Sequence, residues 1–386
     1  MKLNNRLSNI KEYHFKLIDD IKETLVSQGK EITDLGIGDP DIEVDPYIIE
    51  GLMNGLKKVQ FNKYPPYDGI NELKKGIIKY YREVYSVKLD MEEVLVLIGS
   101  KEGISNLIPS VCNIGEYVIA PDLRYPVYEM CSYLWGNNSY KIPLKETNQY
   151  LVDLKDIPQN IVSKSGLMIL NYPNNPTGAI ANRDFYEETL KYCIKNEIVL
   201  CNDGAYNEII KENEEPISIL QCSDGKKTIE FGTFSKTYNM SGFRIGYAVG
   251  NREILKALLK VKSNLDSSQF KPIQYAAINA LKLDRSYIQS IRRIYDERRE
   301  IAHKVLDAKG IEYYKDGRTF YIWCKSPRGY TSEEFCRELI ANYGIIVTPG
   351  NSFGDFSNKY FRISLTQNKD IIFQGLNKLK EYNQCI

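Results

Sequence analysis

IEFGTFSKTYNMSGFRIGYAVG, residues 229–250, decides the fold. It opens on a short β-branched and aromatic run, Ile229–Phe231, and closes on another, Tyr247–Val249. Runs of that kind, bounded by Gly, Ser, Thr and Asn, read as strands. Between them stand Lys236 and, eight residues later, Arg244. A lone Ser-Lys pair is ordinarily a solvated surface lysine. A lysine at a strand tip, beside a second cation, has a lowered pKa and can form an imine.

The same texture repeats upstream. Val94–Ile98, Tyr117–Ala120, Leu167–Leu170 and Ile198–Leu200 read as further strands, with helices over Val127–Trp135 and Arg183–Ile194. Such alternation predicts βαβ units and a mostly parallel sheet covered by helices on both faces. Beyond residue 250 the pattern changes. Helices are expected over Asn251–Asn264, Pro272–Leu281 and about Ser286–Lys309, the last carrying RRIYDERRE (292–300) on its exposed face. Strands at Thr319–Cys324 and Phe361–Leu365 flank a helix near Ser332–Asn342. This reads as a smaller α+β domain, joined by the helical first forty or so residues. The expected division is 1–44 with the small domain, 45–270 as the large domain and 271–386 as the small domain. No internal repeat is present.

Ligands of an open parallel sheet bind outside the carboxyl ends of its strands. Four of those ends carry polar or ionisable residues: Gly99-Ser100-Lys101-Glu102-Gly103, Asn171 through Gly178, Asn202-Asp203-Gly204-Ala205-Tyr206, and Gly232 through Lys236. One such tip is an ordinary turn; four of them facing one crevice make a site. The first opens a helix, so its free N–H groups and dipole suit a phosphate, with a donor hydroxyl on Ser100. Asp203 is either a turn or capping residue or the partner of a cationic ring nitrogen. Tyr206 is either a core aromatic or a donor to that ring, and Arg244 is placed to cap a phosphate. Arg362, inside the apolar run KYFRISL, needs an anion: a structural carboxylate or the α-carboxylate of a substrate.

Composition removes several classes. Lys plus Arg total 51 and Asp plus Glu 50, which gives no global electrostatic reason to bind nucleic acid or an anionic membrane. No apolar run reaches about 18 residues, so no transmembrane span is expected, and MKLNNRLSNIKEYHF lacks a signal-peptide core. Eight cysteines without a C-x-x-C pair suggest buried, reduced thiols in a cytoplasmic protein. With only His14 and His303, a histidine metal site is excluded and a Ser-His-Asp triad is not expected. Proton transfer then falls to Lys, Tyr, Asp or Glu.

Taken together, LGIGDPD (35–41), NKYPPYDG (62–69), LIGSKEGI (97–104), LNYPNNPTGA (170–179), NDGAYNE (202–208), FSKTYNMSGFRIGYAVGN (234–251) and VTPGNSFG (347–354) resemble the class I/II pyridoxal-5′-phosphate (PLP) aminotransferases. The resemblance spans about Leu35 to Leu365. It implies the fold-type I α/β architecture: a mostly parallel seven-stranded sheet flanked by helices, plus the smaller α+β domain. It implies an enzyme that moves an α-amino group from an amino acid to a 2-oxo acid, with PLP as cofactor and no metal. By resemblance, Lys236 is the lysine that holds the cofactor and shuttles the proton. Asp203 is the partner of the ring nitrogen, and Tyr206 and Asn175 donate to the ring oxygen. Ser100, Lys101, Thr233, Ser235 and Arg244 surround the phosphate, and Tyr125 stacks on the ring. Tyr64 resembles the tyrosine that crosses to the partner's phosphate, which implies a homodimer with shared active sites. Arg362 resembles the α-carboxylate arginine, with Gly38 and Asn175 in the substrate pocket.

GDPD, SKTYNM and KSNLDSSQFKPIQYAA (262–277) are most similar to the LL-diaminopimelate aminotransferases, and Tyr13 resembles their substrate-side tyrosine. Departures are also present. Leu123-Arg124 stands where relatives carry Pro-Gly, which puts a charge near the ring; Asn202 replaces a histidine, Phe243 a tryptophan, and SSQF the usual SGxF. The alternative activity is a PLP-dependent carbon–sulfur β-lyase, which would form pyruvate from cystathionine without a 2-oxo acid. A non-catalytic PLP-binding regulator would need a DNA-binding domain, for which the stretch before LGIGDPD leaves little room.

Overall fold

Short apolar runs buried on both faces organise the molecule, whose computed structural model describes residues 22–25, 27 and 29–382. In chain order the strands are β1 (Thr33–Asp34), β2 (Val94–Leu97), β3 (Tyr117–Pro121), β4 (Asn138–Ile142), β5 (Ser165–Leu170), β6 (Val199–Asp203), β7 (Ile229–Thr233), β8 (Gly246–Gly250), β9 (Tyr321–Lys325), β10 (Ile345–Ile346), β11 (Thr348–Pro349) and β12 (Tyr360–Ser364). The helices are α1 (Pro46–Leu56), α2 (Asn71–Tyr85), α3 (Ser100–Val111), α4 (Val127–Leu134), α5 (Gln159–Val162), α6 (Arg183–Lys195), α7 (Phe234–Thr237), α8 (Arg252–Lys262), α9 (Lys271–Ala280), α10 (Arg285–Ala308), α11 (Ser332–Tyr343) and α12 (Lys369–Asn377).

Seven strands form one sheet in the order β2-β8-β7-β6-β5-β3-β4. The pairs from β7 across to β4 are parallel, and β8 runs antiparallel to both β7 and β2. Successive residues of a strand point to opposite faces, and the core divides accordingly. Leu95, Leu97, Leu167 and Ile169 pack with Leu107 of α3 and Leu258 of α8. Val94, Val96, Met168 and Leu170 pack on the other side, with Ile77 of α2 and Leu190 of α6. Both faces are dry, which is why these strands read as continuous apolar runs. Strand β4 escaped the sequence reading because NSYKI has no such run. It lies at the edge, with β3 as its one neighbour in the sheet.

A second core gathers Leu306, Phe320, Ile322, Phe335, Leu339 and Ile363 around the antiparallel sheet β11-β12-β9. There β1 pairs in parallel with β10 and brings Thr33–Asp34 beside Ile345–Ile346. One expectation is corrected here. The RRIYDERRE stretch is only in part an exposed face of α10: Arg293, Glu297 and Glu300 are exposed, but Arg292, Tyr295, Arg298 and Arg299 are buried. Buried charge must be paired. Arg292 meets Glu208 at 2.6 Å, Arg298 meets Asp41 at 2.6 Å, and Arg299 meets Asp296 and the carbonyls of Arg318 and Thr319. The charge count of this helix misled because the partners of Arg292 and Arg298 lie far away in sequence.

The described cysteines are all free, and all but Cys112 are buried. No helix among the described residues is long and apolar enough to cross a membrane.

Candidate active site

The tips after β2, β5, β6 and β7 meet in one cleft of about 390 Å³. That size suits a small organic ligand. Lys236 sits in the single turn α7, whose start is fixed because Thr233 Oγ1 accepts from the Ser235 N–H at 3.2 Å. Its Nζ donates to the Gly38 carbonyl at 2.6 Å. Burial lowers its pKa to about 8; Asp39 opposes that fall, and Arg362 and Arg244 add to it. The amine is therefore largely neutral above pH 8, unlike a surface lysine. Trinitrobenzenesulfonate should modify Lys236 of the cofactor-free protein with a midpoint near pH 8, read by peptide mapping. A midpoint near that of the exposed lysines would refute this environment.

Asp203 ends β6 and is buried. Its Oδ2 accepts from the Tyr128 hydroxyl at 2.7 Å, while Oδ1 is buried with no hydrogen-bond partner among the described residues. Burial raises this carboxyl to about pH 6 against the opposing Tyr128 bond. Asn171 Nδ2 donates to the Asp203 carbonyl at 2.8 Å, and Asn171 Oδ1 accepts from the Asn175 N–H at 2.9 Å. Asn175 Oδ1 then accepts from Arg362 Nη1 at 2.7 Å. Arg362 Nη2 also donates to the Gly36 carbonyl and to Thr348 Oγ1, and its guanidinium lies 4.1 Å from the Tyr321 ring centre. These three acceptors are uncharged. Tyr206 lines the cleft and exchanges a hydrogen bond with Tyr321 at 3.0 Å.

At the other end, α3 begins at Ser100 after Gly99, whose φ of 80° favours glycine. A Cβ at Gly99 would stand 2.9 Å from Arg244 Nη2, so glycine also admits the guanidinium. Arg244 is itself held by a 2.8 Å bond from Nη1 to the Ser241 carbonyl. Ser100, Lys101, Thr233, Ser235 and Tyr125 line this end, with Lys101 Nζ 6.0 Å from the Tyr125 ring centre. Gly38 is required by Tyr321, whose hydroxyl would lie 2.0 Å from an added Cβ.

Most of the residues singled out from sequence thus converge. Tyr64 does not; it is 85% exposed and away from the cleft of its own chain. Tyr13 lies outside the described residues. Arg124 is a correction. It is buried and turned to Asp122 and Glu129, so it adds no charge to the cleft. Asn202 lies beneath the tip, against Tyr172 and Glu230.

The family model for aminotransferase class I and II matches residues 30–372. The chain belongs to that family. The LL-diaminopimelate aminotransferase of Natranaerobius thermophilus is 41% identical over 380 residues, 98% of either chain. That of Aquifex aeolicus is 41% identical over 378 residues, covering 97% of this chain and 98% of the relative. Among solved structures, apo-BacF from Bacillus subtilis superposes with a TM-score of 0.94 at 31% identity and 98% coverage of both chains. An aminotransferase from Staphylococcus aureus gives 0.90 at 30%, covering 99% and 100%. The fold is accordingly fold-type I, and the protein is an enzyme of the aminotransferase class.

Sequence reasoning missed part of this aminotransferase's cleft. Tyr128, which holds Asp203, lies three residues beyond Tyr125, inside the start of α4, and the two rings meet edge-on at 6.2 Å. Tyr321 gave no signal, because nothing in the chain order says that β9 faces β6, and Asp39 stood in the GDPD motif without a role of its own. Among the described residues, no cluster of His, Cys, Asp or Glu is arranged to hold a metal.

Proposed function

We propose that the cleft binds pyridoxal 5′-phosphate and transfers the α-amino group of a diamino dicarboxylic acid of the LL-diaminopimelate type to 2-oxoglutarate. The observation that carries the reading is the buried, partner-seeking Asp203 Oδ1 in the same cleft as the pKa-lowered Lys236. Such a carboxylate fits a protonated ring nitrogen, and the Gly99 turn with Arg244 fits a phosphate. PLP supplies an electrophilic carbon and a cationic ring that withdraws electrons from a Cα–H bond. The chain supplies the rest. With the cofactor bound, Lys236 Nζ would take the Cα proton, Asp203 would hold positive charge at the ring nitrogen, and Tyr206 and Asn175 would donate to the ring oxygen. Ser100, Lys101, Thr233 and Ser235 would hold the phosphate, and Tyr125 would cover the ring. The relatives' names support the substrate. A panel of amino donors with 2-oxoglutarate, read as glutamate formed, tests it; failure of LL-diaminopimelate with success of another donor would replace the substrate and keep the class.

Arg362 is read as the α-carboxylate fork. Removing it should cost roughly 2–5 kcal/mol in kcat/KM for amino acids. Amines that lack the carboxylate should be affected far less. Equal losses for both in Arg362→Ala would make the arginine structural.

The exposed Tyr64 supports a homodimer in which it serves the partner's phosphate end. Mixing Lys236→Ala with Tyr64→Ala subunits should restore part of the activity, since one site of each hybrid has both residues intact. Full activity of a monomer would exclude shared sites. The β1–β10 pairing supports joining the segment before residue 44 to the smaller domain; a boundary at 270 has no such support, since Ala276, Ala277 and Ala280 of α9 lie in the core that holds the large sheet. A cytoplasmic location rests on the free, buried cysteines.

A further inference from the structure

We infer that Asn202 is a positioning residue for the α-carboxylate fork, acting through the backbone of Tyr172; this rests on the proposed role of Arg362. Backbone pairing of β5 with β6 ends at Leu170 and Asn202. Beyond that point the Asn202 side chain continues the ladder. Its Oδ1 accepts from the Tyr172 N–H at 3.1 Å, and its Nδ2 donates to the Tyr172 carbonyl at 3.1 Å. A primary amide offers the donor and acceptor that an absent strand neighbour would have offered.

The amide is held in that sense from behind. Nδ2 also reaches Glu230 Oε2 at 3.3 Å, and Glu230 is itself fixed by Tyr81 at 2.8 Å, Ser218 at 2.7 Å and the Ile219 N–H at 3.2 Å. All of this is fully buried. No water competes, and an unpaired Tyr172 N–H would bear its whole desolvation cost. The Tyr172 carbonyl keeps a second, longer donor, the Tyr186 hydroxyl at 3.3 Å, so the N–H is the group that depends on Asn202.

The consequence is carried along the chain. Tyr172 precedes Pro173, Asn171 receives the Asn175 N–H, and Asn175 Oδ1 receives Arg362. Fixing Tyr172 therefore fixes the distance from Asn175 to the guanidinium. Asn202 is absent from the cleft lining.

The test is Asn202→Leu and Asn202→Ala in the holoenzyme, with single turnovers of an amino acid and of the amine that lacks its carboxylate. Arg362→Ala is run alongside. Alanine, smaller than the native side chain, keeps the test available where leucine disturbs folding. The amino acid should lose about 10- to 100-fold in kcat/KM, mostly through KM, the scale of a substrate misplaced by about an ångström, while the amine changes by less than about threefold. The absorbance of the bound cofactor should not move, since Lys236 and Asp203 keep their side-chain contacts. Equal losses for both substrates, or no loss for either, overturn the inference. If Arg362→Ala also treats the two substrates alike, the carboxylate reading falls and the Asn202 inference with it; if Arg362→Ala discriminates and the Asn202 variants do not, only the latter falls.

Discussion

Lys236→Ala should fold, bind PLP without a borohydride-reducible link, and lose at least about 10³- to 10⁴-fold in turnover, the upper range for one proton-transfer group. The expectation follows from where the amine sits. Its Nζ is buried at the tip of β7, 2.6 Å from the Gly38 carbonyl, with its pKa drawn down to about 8 by burial. A neutral amine is at once nucleophile and base, and the other cationic side chains of the cleft have other neighbours. Arg244 stands beside Gly99, Arg362 is bonded to Asn175, and Lys101 lies over the Tyr125 ring. None is placed to substitute for Lys236. Borohydride fixation of the cofactor in Lys236→Ala would identify another anchor and refute the assignment. Added methylamine should return a little of the lost rate by supplying a small amine to the vacated space.

Asp203→Asn should bind PLP and lose roughly 3–4 kcal/mol of barrier lowering, the scale of one preorganised electrostatic group. Asparagine keeps the shape and the contact with Tyr128 and removes the charge. Asp203→Glu should recover only part, because the added methylene misplaces the carboxylate. The isotope effect for Cα–H removal should rise in Asp203→Asn as that step becomes limiting. Wild-type turnover with cofactor bound would mean that the ring nitrogen has another partner.

The same residue makes a stability prediction with the opposite sign. Without cofactor, burial raises the Asp203 carboxyl from 3.8 to about 6. A carboxyl raised on folding is tolerated while neutral, below about pH 4. Its cost appears as pH rises, and it is complete above about pH 6. Cofactor-free Asp203→Asn should therefore match wild type near pH 4 and exceed it by roughly 3 kcal/mol at pH 8. Urea melts of the two apoenzymes at both pH values check this. A wild type more stable than the variant at pH 8 would show that the charge is already compensated by the protein. Activity lost and apo stability gained in one substitution would mark Asp203 as a group placed for the cofactor.

The linear order of residues was sufficient for the strands whose two faces are both dry. Val94–Leu97 or Leu167–Leu170 need no knowledge of neighbours to be read, because burial on both sides demands unbroken apolar runs. It was also sufficient for the polar tips, since a parallel sheet aligns the carboxyl ends of its strands. From these, Lys236, Asp203, Asn175 and the Gly99 turn were legible as one site. Three-dimensional structure decided the rest, where the meaning of a residue depends on a partner distant in sequence. The RRIYDERRE stretch reads as a solvated face, yet Arg292 and Arg298 are buried because Glu208 and Asp41 come to them. Arg124 reads as a charge near the ring, yet Asp122 and Glu129 claim it. Strand β4 is a strand because β3 offers it an edge, which NSYKI by itself does not announce. A local pattern reports how much apolar surface a segment must bury, whereas a charge or a polar edge is satisfied by whichever group the folded chain brings within about 3 Å.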